Sequence, residues 1–252
     1  MVPRVSRNVR VYPDLGTLSL ECARAIGDMI TAGGRREGRF TLGLSGGETP
    51  RVLYRILATE FRNSIPWSRV HLFWGDERYV PQDDPHSNYR LARDALLGDV
   101  PIPHDNVHPM PTDYPDPRDA ARAYEGELRR TFSAPWPRLD LILLGLGPDC
   151  HTASLFPGSP ALAEHERWVI EVRAPVDPPV RLTLTLPVLH HAASIFFLVA
   201  GADKAAALRR ALTGSRDPLV CPAGVVHAAS GAPVWWVDEA AAASIRRDLQ
   251  VL

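Results

Sequence analysis

The stretch Leu139-Asp140-Leu141-Ile142-Leu143-Leu144, followed by Gly145-Leu146-Gly147-Pro148-Asp149-Cys150-His151-Thr152, decides the fold of this chain. Its first half is almost continuously apolar and does not alternate, which predicts a strand buried on both faces. Such strands are typical of parallel sheets that helices cover on either side. The polar, glycine-bordered second half then lies at the carboxyl end of the strand, where sheets of this kind place their ligand sites.

Alternating strand and helix patterns extend from this stretch in both directions. Apolar runs predict further strands at residues 40–44, 70–74, 168–172, 182–186, 195–199 and 234–237. Helical spacing of apolar residues predicts helices at 18–30, 49–57, 87–97, 118–132 and 203–212. Thr49 is the predicted N-cap of the second helix, with Pro50 in its first position. The alternation predicts an α/β fold, a doubly wound and mostly parallel sheet with helices on both faces, in a single domain over residues 1–252.

Composition excludes several classes of protein. The 252 residues carry a formal net charge of −1 and 23% charged residues, so neither a nucleic-acid surface nor a polybasic membrane surface is expected. The N-terminus has no apolar signal segment, and the apolar runs are too short to span a bilayer. We therefore expect a cytoplasmic protein without nucleic-acid or membrane partners, either a monomer or a weak homo-oligomer.

The cysteines give a separate expectation about redox environment. Cys22, Cys150 and Cys221 are an odd and scattered set, with no CxxC motif. This pattern predicts no disulfide framework and favours a reducing compartment.

The segment Leu44-Ser45-Gly46-Gly47-Glu48-Thr49-Pro50 joins a predicted strand to a helix start. Glycine-rich backbone and a helix N-terminus together make an anion cradle, with the hydroxyls of Ser45 and Thr49 as further donors. The same residues also fit a simple tight turn with an N-cap. Gly43-Leu44-Ser45-Gly46-Gly47 formally matches a G-x-S-x-G nucleophile elbow as well. Against a serine hydrolase, no upstream strand and loop supply the second oxyanion donor.

A second charged segment, Gly75-Asp76-Glu77-Arg78, follows the predicted strand at 70–74. A solvated turn is the ordinary explanation, since unpaired buried charge is costly. The alternative is a site that binds an anion and keeps carboxylates nearby.

Asp149 stands two residues before His151 in the turn that follows the deciding strand. A carboxylate at this spacing can orient the imidazole and raise its basicity, which favours a general base over a packed histidine. The turn imitates a dinucleotide fingerprint only weakly, because Cys150 and Pro148 occupy positions that a nucleotide loop would not tolerate.

Two cations flank later strands. Arg181 lies in Arg181-Leu182-Thr183-Leu184-Thr185, and Lys204 follows Gly201-Ala202-Asp203. Either alone is consistent with surface charge, but with the cradle at Ser45 they can clamp a phosphate, Arg181 as a fork and Lys204 as a point charge.

Metal chemistry receives little support from the sequence. There is no HExxH motif and no cysteine pair, and prolines around His104 and His108 argue against a shared helix face. We expect no metal ligands.

Taken in order, these segments resemble the 6-phosphogluconolactonases over residues 43–242. The resemblance rests on the segments above together with Ser87-Asn88-Tyr89, Asp149-Cys150-His151-Thr152-Ala153-Ser154-Leu155-Phe156-Pro157 and Lys204-Ala205. It implies the fold of the sugar-phosphate isomerases and deaminases. It also implies hydrolysis of a small phosphorylated sugar lactone, 6-phospho-D-glucono-1,5-lactone, in the oxidative pentose phosphate pathway, without metal or organic cofactor.

The resemblance also implies roles for individual residues. His151 takes the place of the family's catalytic histidine, with Asp149 beside it. The phosphate-binding positions fall on Ser45, Gly46, Gly47, Thr49, Arg181 and Lys204, and Arg78 is a further substrate contact. We expect either Arg78 or a backbone N–H of the 145–149 turn to stabilise the oxyanion.

Two positions of this sequence bear on the resemblance. The related deaminases carry a glutamate five residues after the histidine, where this chain has Phe156, which favours the lactonase. Cys150 replaces a glycine that usually serves a positive φ. We expect its side chain to border the substrate.

Three other functions remain open at this point. They are a sugar-phosphate isomerase or deaminase of the same fold, a serine esterase that uses Ser45, and a non-catalytic sugar-phosphate-binding regulator.

Overall fold

A seven-stranded parallel sheet organises the chain, which a computed structural model describes over residues 8–245, except for the side chains of residues 33–37. Its strands are β1 (Val9–Tyr12), β2 (Phe40–Leu44), β3 (Val70–Trp74), β5 (Val107–His108), β6 (Leu141–Gly145), β9 (Ile195–Val199) and β10 (Val234–Asp238). They lie in the order β1-β10-β9-β6-β2-β3-β5, and every pair is parallel. The predicted fold class is confirmed.

The deciding strand, β6, lies in the middle of this sheet. Residues Leu141, Ile142 and Leu143 have no exposed surface, which matches the non-alternating apolar run. The chain runs from β2 outward through β3 to β5, and from β6 outward through β9 to β10. The loops after β2 and β6 therefore diverge at the switch point of the sheet, where α/β folds form ligand sites.

A second, antiparallel sheet contains strands that the sequence analysis assigned to the main sheet. It consists of β4 (Asp76–Arg78), β7 (Val169–Arg173) and β8 (Val180–Leu184), in the order β4-β8-β7. Only residues 174–179 connect β7 to β8. A connection this short permits an antiparallel hairpin but not the crossover of a dozen or more residues that parallel strands need. The triplet Asp76-Glu77-Arg78 is thus an edge strand of this sheet and not a solvated turn.

The helices are α1 (Leu15–Glu37), α2 (Glu48–Thr59), α3 (Asn88–Ala92), α4 (Pro117–Phe132), α5 (Leu186–His191), α6 (Ala205–Thr213) and α7 (Pro222–Val225). A π-helical segment, Arg93–Leu97, continues α3. The N-cap of α1 is Asp14, whose carboxylate accepts a hydrogen bond from the Thr17 amide at 2.7 Å. Within residues 8–245, no helix is long and apolar enough to cross a membrane.

The start of α2 differs from the prediction. Its N-cap is Gly47 and not Thr49, so Thr49 and Pro50 both lie inside the first turn. Gly47 has a φ of 108°, in the region that glycine tolerates best, and this lets the chain turn from β2 into the helix two residues early. The proline is tolerated there because the first amides of a helix have no intrahelical acceptor.

The expectation of unpaired cysteines is wrong for two of the three. Cys150 and Cys221 form a disulfide across a sequence separation of 71 residues, while Cys22 is free and buried. A long separation along the chain says nothing about proximity, and here the fold brings the turn after β6 against the start of α7. The Ala223 amide also donates to the Cys150 carbonyl at 3.2 Å.

Candidate active site

A cavity of about 450 Å³ opens at the carboxyl ends of β2, β6 and β9. Among the residues along its walls are all the predicted site residues except Asp149: Ser45, Gly46, Gly47, Thr49, Arg78, His151, Arg181 and Lys204. Three loops of the main sheet and the edge of the second sheet thus converge on one space. A cavity lined by glycine-rich backbone, three cations and an imidazole suits an anionic organic molecule.

The loop after β2 presents donors to this cavity. Gly46 and Gly47 lead directly into α2, so the helix N-terminus and its partial positive charge face the space. The Ser45 hydroxyl is buried and has no hydrogen-bond partner among the described residues. These groups can receive the oxygens of a phosphate.

Tyr54 fixes the loop from below, a role that sequence reasoning missed. Its buried hydroxyl accepts from the Ser45 amide at 3.0 Å and donates to the Ser45 carbonyl at 2.7 Å. Burial raises the pKa of this phenol above its ordinary value, so the hydroxyl keeps its proton. Since the Ser45 amide is already used, the cradle consists of the Ser45 hydroxyl and the amides that follow it.

His151 and Asp149 are in contact, as their spacing predicts. His151 Nδ1 lies 2.5 Å from Asp149 Oδ1, and the His151 amide donates to the same oxygen at 3.1 Å. The Gly147 amide donates to the His151 carbonyl at 2.9 Å and closes the turn. The contact to Nδ1 orients the ring and leaves Nε2 for the cavity side.

Phe156 packs against the imidazole of His151. The two ring centroids are 4.5 Å apart, and only 4% of Phe156 is exposed. Residue 156, which sets this sequence apart from the deaminase pattern, thus places an aromatic ring beside the imidazole.

Cys150 does not border the cavity, contrary to expectation. Its backbone has a φ of 81°, its side chain is fully buried, and its sulfur is bonded to Cys221. Because residues 149 and 151 flank a left-handed turn, Cys150 projects into the core while His151 projects into the cavity.

The carboxylates of β4 organise the opposite wall. Glu77 is 1% exposed and accepts hydrogen bonds from the amides of Arg78, Asn88 and Tyr89, each at 2.7 Å. Burial raises the pKa of Glu77 to about 7, and these hydrogen bonds oppose that rise. Asp76 lines the cavity and accepts a hydrogen bond from the Ser154 hydroxyl at 2.7 Å.

The two arginines of the second sheet are direct neighbours. Arg78 of β4 pairs in register with Arg181 of β8, so both side chains reach the cavity from adjacent strands. Arg181 is only 6% exposed, and its Nε donates to the Pro178 carbonyl at 3.1 Å. Burial lowers the pKa of Arg181, and the charge of Asp76 counteracts that shift.

Lys204 stands at the third loop, after β9. Gly201 begins this loop with a φ of 101°, and Asp238 accepts a hydrogen bond from its amide. Lys204 Nζ lies 3.2 Å from the exposed carboxylate of Asp203, which leaves two of its three N–H groups for another anion.

Asn88 is a cavity residue that the predicted set of site residues did not include. It begins α3, is 1% exposed and lies along the cavity wall. Its position in Ser87-Asn88-Tyr89 was the available signal.

Metal ligation is not supported by the described side chains of residues 8–245. No group of three histidine, cysteine, aspartate or glutamate side chains there could hold a metal ion. His108 instead lies 2.6 Å from Glu127 and 3.0 Å from His71, at the β5 edge of the sheet.

Known proteins resemble this chain over nearly its whole length. Residues 13–235 match the family described as glucosamine-6-phosphate isomerases/6-phosphogluconolactonase. A 6-phosphogluconolactonase from Synechocystis sp. is 45% identical over 86% of this chain and 89% of its own. The crystal structure of the 6-phosphogluconolactonase from Thermotoga maritima superposes with a TM-score of 0.80 at 31% identity, covering 92% of this chain and 99% of its own. A monomeric glucosamine-6-phosphate deaminase has the same fold, with a TM-score of 0.79 at 21% identity over 94% of this chain and 99% of its own.

Proposed function

The chain belongs to the glucosamine-6-phosphate isomerase/6-phosphogluconolactonase family, and we propose that it opens 6-phospho-D-glucono-1,5-lactone to 6-phospho-D-gluconate by a water attack that His151 assists. As a 6-phosphogluconolactonase it is a carboxylic ester hydrolase of the pentose phosphate pathway. The observation that carries the residue assignment is the contact between His151 and Asp149 at one wall of a cavity that Arg78, Arg181 and Lys204 also line.

The 6-phosphate is assigned to the cradle after β2. The Ser45 hydroxyl, the amides that follow it and the N-terminus of α2 supply hydrogen bonds, while Lys204 and Arg181 supply charge. This binding fixes the position of the lactone carbonyl relative to His151. Orientation of the reacting groups accounts for a large part of the barrier in reactions of this kind.

His151 acts as general base in the first step. With Nδ1 held by Asp149, Nε2 removes a proton from water as its oxygen attacks C1 of the lactone. Asp149 keeps the required tautomer and stabilises the imidazolium that forms. The bond between C1 and the ring oxygen then breaks, and the imidazolium returns the proton to the leaving oxygen. A lactone is already activated, so no covalent intermediate is needed.

Arg78 is the donor that we assign to the oxyanion. Within the 145–149 turn the Gly147 amide already donates to the His151 carbonyl and Pro148 has no N–H, and the next two amides are engaged as well, Cys150 with Gly147 and His151 with Asp149. Arg78 Nε is buried and unpartnered among the described residues, and Arg78 Nη1 donates to the His86 carbonyl at 2.8 Å. A guanidinium held in this way can stabilise negative charge that develops at C1.

Phe156 argues against a deaminase. The resemblance gives the deaminases a glutamate at this position, which helps the imidazole to open the sugar ring, and here the Phe156 ring lies beside His151 instead. An apolar neighbour suits a histidine that has only to exchange a proton with water and the ring oxygen.

The serine esterase finds no support in the geometry around Ser45. A nucleophilic serine needs a base within hydrogen-bond reach. Ser45 Oγ has no hydrogen-bond partner among the described residues, and the phenol of Tyr54 is engaged with the Ser45 backbone. Ser45 therefore serves the cradle.

The test is a comparison of two substrates. The purified protein should release acid from freshly made 6-phosphogluconolactone far above the spontaneous rate, and should release no ammonia from glucosamine 6-phosphate. Ammonia release without lactone opening would make the protein a deaminase. Binding of 6-phosphogluconate without either reaction would make it a regulator.

A further inference from the structure

Two hydrogen bonds to a buried carboxylate fix the backbone at Asn88, the first residue of the short helix α3. Its amide donates to Glu77 Oε1 at 2.7 Å, and the next amide, of Tyr89, donates to Glu77 Oε2 at 2.7 Å. Glu77 is itself almost completely buried. The hydrogen bonds to this buried carboxylate therefore fix the backbone that carries the Asn88 side chain.

In the side-chain amide of Asn88, the nitrogen has a hydrogen-bond partner among the described residues and the oxygen has none. Nδ2 donates to the Asp76 carbonyl at 2.8 Å, which settles the orientation of the amide. Oδ1 then points toward the phosphate cradle, so closely that a methyl group on Gly46 would overlap it. Oδ1 is buried and accepts no hydrogen bond from any described residue. A buried acceptor of this kind is costly unless something donates to it.

The chemistry of the missing donor follows from the placement of Oδ1. An amide oxygen accepts hydrogen bonds and carries no charge, so it can lie beside a phosphate cradle without repelling the phosphate. A phosphate, which only accepts at its ionised oxygens, cannot satisfy Oδ1. A sugar hydroxyl can.

We propose that Asn88 is a specificity-determining residue whose Oδ1 accepts a hydrogen bond from the C4 hydroxyl of the lactone. The inference rests on the proposed function, which places the 6-phosphate at Gly46 and Gly47 and C1 at His151. Of the three ring hydroxyls, the one on C4 is next to the carbon that bears the phosphate arm. It is therefore the hydroxyl nearest to a side chain that abuts Gly46.

The kinetic test crosses two variants with two lactone analogues. Asn88→Leu keeps the size of the side chain and removes its polar atoms, and Asn88→Ala removes the amide without adding a branch. The substrates are 6-phosphogluconolactone, its 4-deoxy analogue and, as matched control, its 3-deoxy analogue. We expect each variant to lower kcat/KM about 10- to 100-fold for the parent and the 3-deoxy lactone, and only a few-fold for the 4-deoxy lactone.

A binding measurement keeps the test independent of folding and turnover. Wild-type protein should bind 6-phosphogluconate at least about 10-fold more tightly than its 4-deoxy form in isothermal titration calorimetry. Equal affinities for the two ligands would overturn the proposal. An equal loss of kcat/KM on the parent and 4-deoxy lactones in a folded variant would also overturn it, because Asn88 would then only support the Gly46 backbone. If the wild type binds both ligands but opens no lactone, the proposed function fails while the binding ratio still decides this inference.

Discussion

Gly147 offers a way to displace the proposed catalytic pair without removing either of its members. A Cβ added at this position would overlap Nδ1 and Cε1 of His151 and would lie 2.7 Å from Asp149 Oδ1. Gly147 does not have a positive φ, so alanine can adopt its backbone conformation. We therefore expect Gly147→Ala to displace the side chains of His151 and Asp149 and to leave the backbone of the turn unchanged.

The size of the effect follows from the size of the overlap. Carbon and nitrogen atoms in good contact are about 3.5 Å apart, so the imidazole must move by about 1 Å or more to make room. A shift of about 1 Å in a positioned catalytic group costs about 10²-fold in rate. We expect kcat for 6-phosphogluconolactone to fall by about that factor. The loss of unfolding free energy should stay near the lower end of the ~1–3 kcal/mol range for overpacking, because His151 is partly exposed and can move toward the cavity.

Gly145→Ala is the matched control on the same loop. A Cβ at Gly145 meets no heavy atom within 4 Å, so it does not press on His151 or Asp149. The assay is acid release from fresh lactone at saturating substrate, with calorimetric affinity for 6-phosphogluconate measured in parallel. Gly147→Ala should lose turnover and keep product affinity within a few-fold, while Gly145→Ala should lose at most a few-fold in turnover.

Two results would refute this reasoning. Near wild-type turnover of a folded Gly147→Ala protein would show that the observed contact between His151 and Asp149 is not needed for catalysis. An equal loss in both alanine variants would show that the loop, and not the pair, is sensitive.

Three further predictions concern phosphate binding, acid stability and the disulfide. Lys204→Ala should raise KM for the phosphorylated lactone by about 10- to 150-fold and barely change turnover of unphosphorylated gluconolactone, because a charge-assisted hydrogen bond is worth about 1.5–3 kcal/mol; an equal loss on both substrates would show that Lys204 does not contact phosphate. Burial, and then the charge of His227, lower the pKa of His190 to about 4, so between its ordinary value of about 6.5 and pH 4 the unfolded chain binds a proton that the native state does not. The free energy of unfolding should fall by about 1–3 kcal/mol as pH decreases through that window, and urea titrations of His190→Phe should lack this part of the loss; an unchanged pH dependence in the variant would contradict it. Cys221→Ser should lower the free energy of unfolding by about 2–4 kcal/mol relative to the oxidised wild type, by removing the cross-link to Cys150, and the reduced wild type should match the variant; equal urea midpoints of the oxidised wild type and the variant would mean that the disulfide adds no stability.

Much of the main sheet could be predicted because burial on both faces leaves a clear trace in sequence. The apolar runs at 40–44, 70–74 and 195–199 became β2, β3 and β9 with the same bounds. The turns after these strands and after β6 were identifiable because glycines and charges follow apolar runs abruptly. The convergence of these turns then follows from parallel topology.

Sheet membership could not be predicted in the same way. An apolar run does not specify its partner, and the strands at β7 and β8 read like those of the main sheet although they pair antiparallel with β4. The six-residue connection between β7 and β8 was the only local indication that these strands form an antiparallel hairpin. The roles of Tyr54 and Asn88 could not be predicted for a related reason, since they depend on which loop the fold brings against these residues.

The sequence also contains a second aspartate-x-histidine pair that spacing alone cannot separate from the first. His86 Nδ1 lies 2.9 Å from Asp84 Oδ1, and the His86 amide donates to the same oxygen at 2.7 Å, as in the pair at 149 and 151. His86, however, is 65% exposed and does not line the cavity, whereas His151 is 25% exposed and does. The fold therefore separates two pairs that spacing alone leaves equivalent.

The presence of two such pairs allows the most direct test of the assignment of His151 as general base. Turnover of 6-phosphogluconolactone should be measured for the wild type, His151→Ala and His86→Ala, with calorimetric affinity for 6-phosphogluconate as the check on folding and binding. If His151 is the general base, His151→Ala should lower kcat by about 10²–10⁴-fold with product affinity within a few-fold of wild type, and His86→Ala should behave as wild type. Near wild-type turnover in a folded His151→Ala protein, or the same loss in both variants, would contradict that assignment.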